Sequence, residues 1–218
     1  MSWQPIAAAD FVSAVERRFE RRDALLREAG GDHVLNPGLD RDYRPPRDAA
    51  VLIPVIDRPE GATVLLTLRS NELPDHKGQI AFPGGKIDPG DASAEAAALR
   101  ETHEEVGILP AQVRVVGRFA DYLSRTGFRV APVVGVVPPD VEIVPEPGEV
   151  ADAFEVPLGF LMSDATHRRE SLQWKGADRH FWAMPWQEEG GVERRIWGLT
   201  AGIIRMVWQR VYADEVAA

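Results

Sequence analysis

The sequence predicts an α+β domain in which a mixed sheet is sandwiched between helices, with helical additions at both ends. Three observations lead there. Short β-type runs come in closely spaced pairs and do not alternate regularly with helices, as a doubly wound fold would require. Helical periodicity is confined to the two ends and one central segment. The 218 residues, 44% hydrophobic and 27% charged, suit a single domain spanning 1–218 with a sizeable core.

Each element has its own local cause. Phe11, Val12, Val15, Phe19, Leu25, Leu26 and Ala29 recur at helical spacing, so a helix is expected over 10–29, capped by Asp10 and stopped by Gly30-Gly31. Arg17, Arg18, Arg21 and Arg22 lie among Glu16, Glu20 and Asp23 and read as a solvated face with intrahelical ion pairs. The polar, proline-rich stretch NPGLDRDYRPPRD is a connector to a core of about 50–190. There, VLIPVID and TVLLTLR flank the turn RPEGA as a hairpin, and QVRVVGRFADYL and FRVAPVVGVV are joined through Ser124-Arg125-Thr126-Gly127 as a second. PPDVEIVPEPGE is a proline-punctuated loop, HFWAMPW a further strand, and 197–212 an apolar helix packed on the body of the domain.

Composition excludes whole classes of chemistry. With no cysteine there is no disulfide scaffold, thiolate zinc site or cysteine nucleophile. A net charge of −9 argues against a general nucleic-acid binder, which needs a basic footprint, but leaves room for one phosphorylated ligand. The amino terminus lacks the long apolar run of a leader, no stretch approaches a membrane span, and the terminal VAA is no peroxisomal address. A cytoplasmic protein without nucleic-acid or membrane partners is expected.

The central helix, DASAEAAALRETHEEVGI, carries the chemistry. On a wheel at about 100° per residue, with Leu99 at zero, Glu101, Glu104 and Glu105 fall near about 200°, 140° and 240°, beside the apolar stripe of Ala98, Thr102 and Val106. Three like charges in one sector repel. Arg100, four residues before Glu104, offers one compensation; a hard divalent cation such as Mg²⁺ or Mn²⁺ offers another. A solvated acidic face is the plain alternative. Ahead of the helix, Phe82-Pro83-Gly84-Gly85 gives a backbone that can approach a ligand closely, Lys86 adds a cation, and Asp91 stands where a helix cap belongs.

These residues resemble the Nudix box, whose form is G-x5-E-x7-R-E-U-x-E-E-x-G-U with U bulky and apolar. Gly85, Arg100, Glu101, Glu104, Glu105, Gly107 and Ile108 match. Asp91 replaces the first glutamate, eight residues rather than seven separate it from Arg100, and Thr102 takes the first U position. Upstream, Leu65-Leu66-Thr67-Leu68-Arg69-Ser70, Gly78 and Phe82-Pro83-Gly84-Gly85 resemble the coenzyme A pyrophosphatase signature LLTxR[SA]x3Rx3Gx3FPGG, with Pro74 in place of its arginine. Resemblance extends over about residues 50 to 205.

The resemblance implies a Nudix α/β/α sandwich and an Mg²⁺- or Mn²⁺-dependent pyrophosphatase. Its substrate would be coenzyme A or acyl-CoA, split into 3′,5′-adenosine bisphosphate and 4′-phosphopantetheine. It makes Glu101, Glu105, Glu104 and the Gly84 carbonyl the metal ligands. It gives Glu149, otherwise a surface loop residue, the part of proton acceptor. Arg69 and Lys86 are the expected phosphate contacts, with His76 and Lys77 toward the nucleotide end. Gly84, Gly85, Arg100 and Gly107 hold the motif in shape, Arg100 by bracing Glu104 and the loop. His103 lies away from the carboxylates, and His33, His167 and His180 have no zinc-type spacing. Trp174, Trp182, Trp186 and Trp197 are candidates for core packing or for stacking on adenine. The rival readings are a pyrophosphatase for ADP-ribose, NADH or another nucleoside diphosphate derivative, and a nucleotide-sensing module without turnover. The first helix and the tryptophan-rich end offer apolar surface for a homodimer that nothing in the sequence requires.

Overall fold

A computed structural model describes residues 3–20, 29–38, 45–70, 72, 78–174 and 176–216. In chain order the elements are α1 (Ala8–Glu20), β1 (Gly30–Gly31), α2 (Asp32–Leu35), β2 (Arg47–Ile56), β3 (Thr63–Arg69), β4 (Ile80–Ala81), β5 (Gly84–Lys86) and α3 (Ala94–Val106). There follow β6 (Arg114–Arg118), β7 (Tyr122–Leu123), β8 (Phe128–Val137), β9 (Val150–Pro157), α4 (Leu158–Leu161), β10 (Arg168–Trp174), β11 (Ala177–Gln187), β12 (Glu193–Trp197) and α5 (Leu199–Val216). No described helix is long and apolar enough to cross a membrane.

The main sheet is organised around the parallel pair β2 and β8, in register from Arg47 opposite Phe128 to Ile56 opposite Val137. Both expected hairpins form: β2 pairs antiparallel with β3, and β7 with β8. β9 and β4 flank β3, β6 and β7 lie along β8, and β5 pairs with the start of β2. The central strands read as near-continuous apolar runs because both faces are covered. Toward α3, Ala50, Leu52, Ala131 and Val133 meet Ala94, Ala97 and Ala98, small residues that bring the helix close to the sheet. On the opposite face, Ile53, Val55, Val64, Leu66 and Val134 meet Phe11 and Val15 of α1 and Ile203 and Val207 of α5. The result is the helix–sheet–helix layering expected from the sequence.

Four local expectations are corrected. The first helix begins at Ala8, so Asp10 lies in its first turn and does not cap it; residues 21–28 lie outside those described. Arg18 is not on a solvated face: it is buried and donates from Nε and Nη2 to the Val211 carbonyl, tying α1 to α5. Gly30-Gly31, outside the helix as expected, forms a short strand parallel to β7. Trp197 ends a strand, and the last helix starts only at Leu199. A three-stranded antiparallel sheet, β10-β11-β12, stands where the sequence suggested one strand.

Candidate active site

The acidic helix is shaped at both ends by its own backbone needs. Ser93 is the N-cap, its Oγ accepting from the Ala96 N–H, while Gly107 closes the C-terminus at φ 75°, a conformation costly for any residue with a Cβ. Asp91 is therefore not the cap. The carbonyls of Glu105 and Val106, unpaired within the helix, accept from Glu146 and Val144 N–H at 2.9 and 3.0 Å, which hangs the 138–149 loop on the helix end. Thr102, at the unusual box position, is fully buried and satisfies its hydroxyl on the Ala98 carbonyl at 2.6 Å.

Arg100 joins the helix to the loop before it. Its Nε and Nη2 each lie 3.0 Å from Asp91 in a two-pronged bridge, and Nη2 also reaches the Lys86 carbonyl at 3.1 Å. As its neighbour along the helix, Arg100 projects about 100° away from Glu101. Its guanidinium instead folds back, with Nη1 2.8 Å from Glu101 and 2.9 Å from Glu104. A long side chain reaches acceptors that its Cα–Cβ vector misses. The surrounding carboxylates hold the guanidinium proton more tightly than usual.

The three glutamates are not equivalent. Glu105 is 2% exposed, Glu101 half-buried, and Glu104 exposed and turned to Arg100. Glu105 accepts from Arg69 Nη1 at 3.3 Å and from the Gly84 N–H at 3.2 Å. Burial pushes its carboxyl up to about 7; Arg69 and the Gly84 N–H pull it down, and Glu101 and Glu149 raise it further. Burial likewise raises Glu101, against the hydrogen bond and charge of Arg100.

The double glycine permits this packing. Gly84 has φ 152°, and a Cβ there would sit 2.7 Å from Val51 Cα. A Cβ on Gly85 would lie 2.5 Å from Glu101 Cδ, so the carboxylate rests against bare backbone. Arg69, Lys86, Gly84, Gly85, Glu101, Glu105 and Glu149 line one cleft. Glu104 and Arg100 are not among its lining residues. Glu149 is held by its backbone, its carbonyl accepting from Ser70 N–H at 2.8 Å. His76 and Lys77, with Pro74, lie outside the described residues. His103 is exposed on α3, and His180 borders the cleft with its backbone clamped by Asn36.

This site is related by sequence to known proteins. The model of the NUDIX domain matches residues 46–175. The proteins named uncharacterized Nudix hydrolase NudL of Enterobacter sp. (strain 638) and Escherichia coli K12 are each 44% identical over 172 residues, covering 79% of this chain and 86% of theirs. The chain belongs to the Nudix domain family. It is an enzyme, a Nudix hydrolase of nucleoside diphosphate derivatives. Among solved structures, the Nudix hydrolase RenU of M. smegmatis aligns at 27% identity and TM-score 0.44, over 53% of this chain and 73% of that one.

Nudix hydrolases generally use divalent ions such as Mg²⁺ or Mn²⁺. The donor set fits such an ion. Glu101, Glu105 and Glu149 bring hard oxygen donors into one cleft, and burial raises the first two carboxyls, a cost that a bound cation would offset. Among the described residues, no three acidic or imidazole groups form a ready-made coordination sphere; Arg100 and Arg69 occupy the carboxylates instead.

Residues that sequence reasoning missed also border the cleft: Arg47, Asp32, Phe128 and Thr200. Arg47 is stacked on Phe128, its guanidinium 4.0 Å from the ring centre. No motif marks these positions. They reach the cleft through strand pairing and through α2 and α5, which no local pattern reveals.

Proposed function

We propose that this enzyme hydrolyses the diphosphate linkage of coenzyme A or acyl-CoA, releasing 3′,5′-adenosine bisphosphate and 4′-phosphopantetheine or its acyl derivative. One observation carries the reading. Arg69 of the upstream signature, and the two glycines that end it, fold directly against box carboxylates: Arg69 and the Gly84 N–H on Glu105, Gly85 beneath Glu101. The residues that resemble the coenzyme A signature thus belong to the same site as those of the hydrolytic box.

In this reading Glu101 and Glu105 would hold an Mg²⁺ or Mn²⁺ ion, and the Gly84 carbonyl would serve as a further ligand. Glu104, now paired with Arg100, would be free to join once that pair opened. The bound dication offsets the negative charge of the diphosphate and favours ionisation of an attacking water. Water oxygen attacks one phosphorus, the bridging P–O bond breaks, and the leaving phosphate departs with that oxygen. Glu149, on the loop hung from the helix end, accepts the proton of the water. Arg69, whose buried Nε–H has no acceptor among the described residues, and Lys86 contact the phosphates; His76 and Lys77 are assigned to the nucleotide end. Arg100 and Gly107 position the carboxylates. The proposal keeps the cytoplasmic setting, and a homodimer is not needed for any step.

The test is product analysis by mass spectrometry after incubation with coenzyme A, NADH and ADP-ribose at equal concentration with Mg²⁺. Coenzyme A should be cleaved fastest, giving the two expected phosphates. If it is the poorest of the three, the substrate assignment is lost.

A further inference from the structure

The cleft extends well past the carboxylates. It is one cavity of about 570 Å³, and its far wall is the three-stranded sheet β10-β11-β12. Leu172 pairs with Arg179 and Trp174 with Ala177 across β10 and β11, and Ala183 pairs with Trp197 across β11 and β12. Since strand side chains alternate between faces, this register puts Leu172, Trp174, Arg179, Phe181 and Trp197 on one side. All five line the cleft. The other side carries Trp182, Met184 and Ile196, which pack into the core. Strand burial therefore divides the aromatics into a packed set and an open set.

The open set is arranged to receive something flat. Trp174 is 50% and Trp197 38% exposed. Phe181 and Trp197 meet edge to face, ring centres 5.5 Å apart at 64°. Arg195, paired with Glu170, lies within about 6 Å of both ring centres and holds them in place. Arg47 lines the same cleft, its guanidinium over the Phe128 ring. An aromatic wall in one cleft with an arginine, continuous with a diphosphate site, matches a planar heteroaromatic base carrying a phosphate. A flexible saturated arm would gain apolar contact there but none of the stacking that ring planes give a flat base.

We infer that the aromatic face of this sheet is the base subsite. The purine of the substrate stacks on Trp197 beside Phe181, its sugar phosphate lies toward Arg47, and the diphosphate lies by Glu101 and Glu105. The inference rests on the reading of the cleft as a nucleotide diphosphate site. Residues Ala177 to Trp197 lie beyond the matched domain of 46–175.

The test uses the full-length protein without added metal, so that binding is read apart from turnover. Adenosine 3′,5′-bisphosphate and 4′-phosphopantetheine are titrated separately, following tryptophan fluorescence and saturation transfer to the adenine protons. Wild type is compared with Trp197→Ala, Trp174→Ala and the conservative Trp197→Phe, each checked by circular dichroism. The bisphosphate should bind with strong transfer to the base. Trp197→Ala should weaken it about 10-fold or more, Trp197→Phe far less. With Mg²⁺, the KM for coenzyme A should rise in Trp197→Ala much more than kcat falls. Unchanged bisphosphate affinity in Trp197→Ala overturns the inference, as does a loss in Trp174→Ala as large as in Trp197→Ala, or capture of 4′-phosphopantetheine by these rings in place of the base. If the base binds through Trp197 while coenzyme A is not cleaved, the subsite stands and the coenzyme A assignment fails.

Discussion

Arg69 Nη1 lies 3.3 Å from Glu105 Oε1, across a separation of 36 residues. One belongs to the strand β3, the other to α3, and the Gly84 N–H completes the hold on the same carboxylate. A buried glutamate so placed is kept apart from bulk water by a cation that itself faces the cleft. Removing the carboxylates should therefore abolish turnover without unfolding the chain. Glu101→Gln and Glu105→Gln are each expected to lower kcat by at least about 100-fold, beyond the loss typical of groups that only orient metal ligands. They should also weaken Mn²⁺ binding measured by electron paramagnetic resonance. Wild-type turnover in either variant would remove that residue from its assigned role.

Arg100 should behave as a positioning residue. Only a guanidinium fork can hold Asp91 with two nitrogens while reaching Glu101 and Glu104, and lysine has a single ammonium. Arg100→Lys is expected to reduce kcat by about 10- to 100-fold and to lower Tm. In a double-mutant cycle with Asp91→Asn, the Tm losses should be less than additive, because both changes break the same bridge. Additive losses would argue against the coupling.

The glycines separate by what a Cβ would meet. At Gly84 it meets the backbone of β2 at an unfavourable φ, so Gly84→Ala should destabilise the fold by about 1–3 kcal/mol. At Gly85 it meets only the Glu101 carboxylate, so Gly85→Ala should spare Tm and cost activity, on the order of 100-fold for a displaced ligand. Gly90, with nothing within 4 Å, is the control and should tolerate alanine in both measurements. Chemical denaturation and initial rates distinguish the three.

His167 should make the fold acid-sensitive. Its ring packs edge-on against Trp208 and bonds the Leu161 carbonyl at 2.8 Å, with Arg205 and Asp164 nearby. Burial is the main cause that drops its pKa from 6.5 to about 4; Arg205 adds to the fall, and the Leu161 carbonyl and Asp164 oppose it. The unfolded chain then binds a proton below about pH 6.5 that the folded chain refuses until about pH 4. Stability from this group is present above the upper value and is lost as pH falls through the window, by up to about 3 kcal/mol. Urea denaturation from pH 7 to 4 should show that slope, and His167→Gln should flatten it. An unchanged slope in the variant would assign the effect elsewhere.

Much of the fold and of the candidate site was legible in the chain itself. Apolar runs marked β2, β3 and β8 because both their faces are buried, and the alanine-rich stretch closed by Gly107 marked α3. The order of Arg69, Gly84, Gly85, Glu101, Glu104 and Glu105 is enough to place the chain in its family, because motif residues lie close together along the sequence. Other features were hidden. β10 exposes most of both faces and so carries no burial period to read. Asp91 resembles a helix cap until the loop folds back and gives it to Arg100. Which tryptophans face solvent depends on a strand register set by chains that meet only after folding. Local periodicity encodes backbone preference and burial; which distant residues share a cleft is decided by closure of the loops between them, and that is a property of the assembled tertiary structure alone.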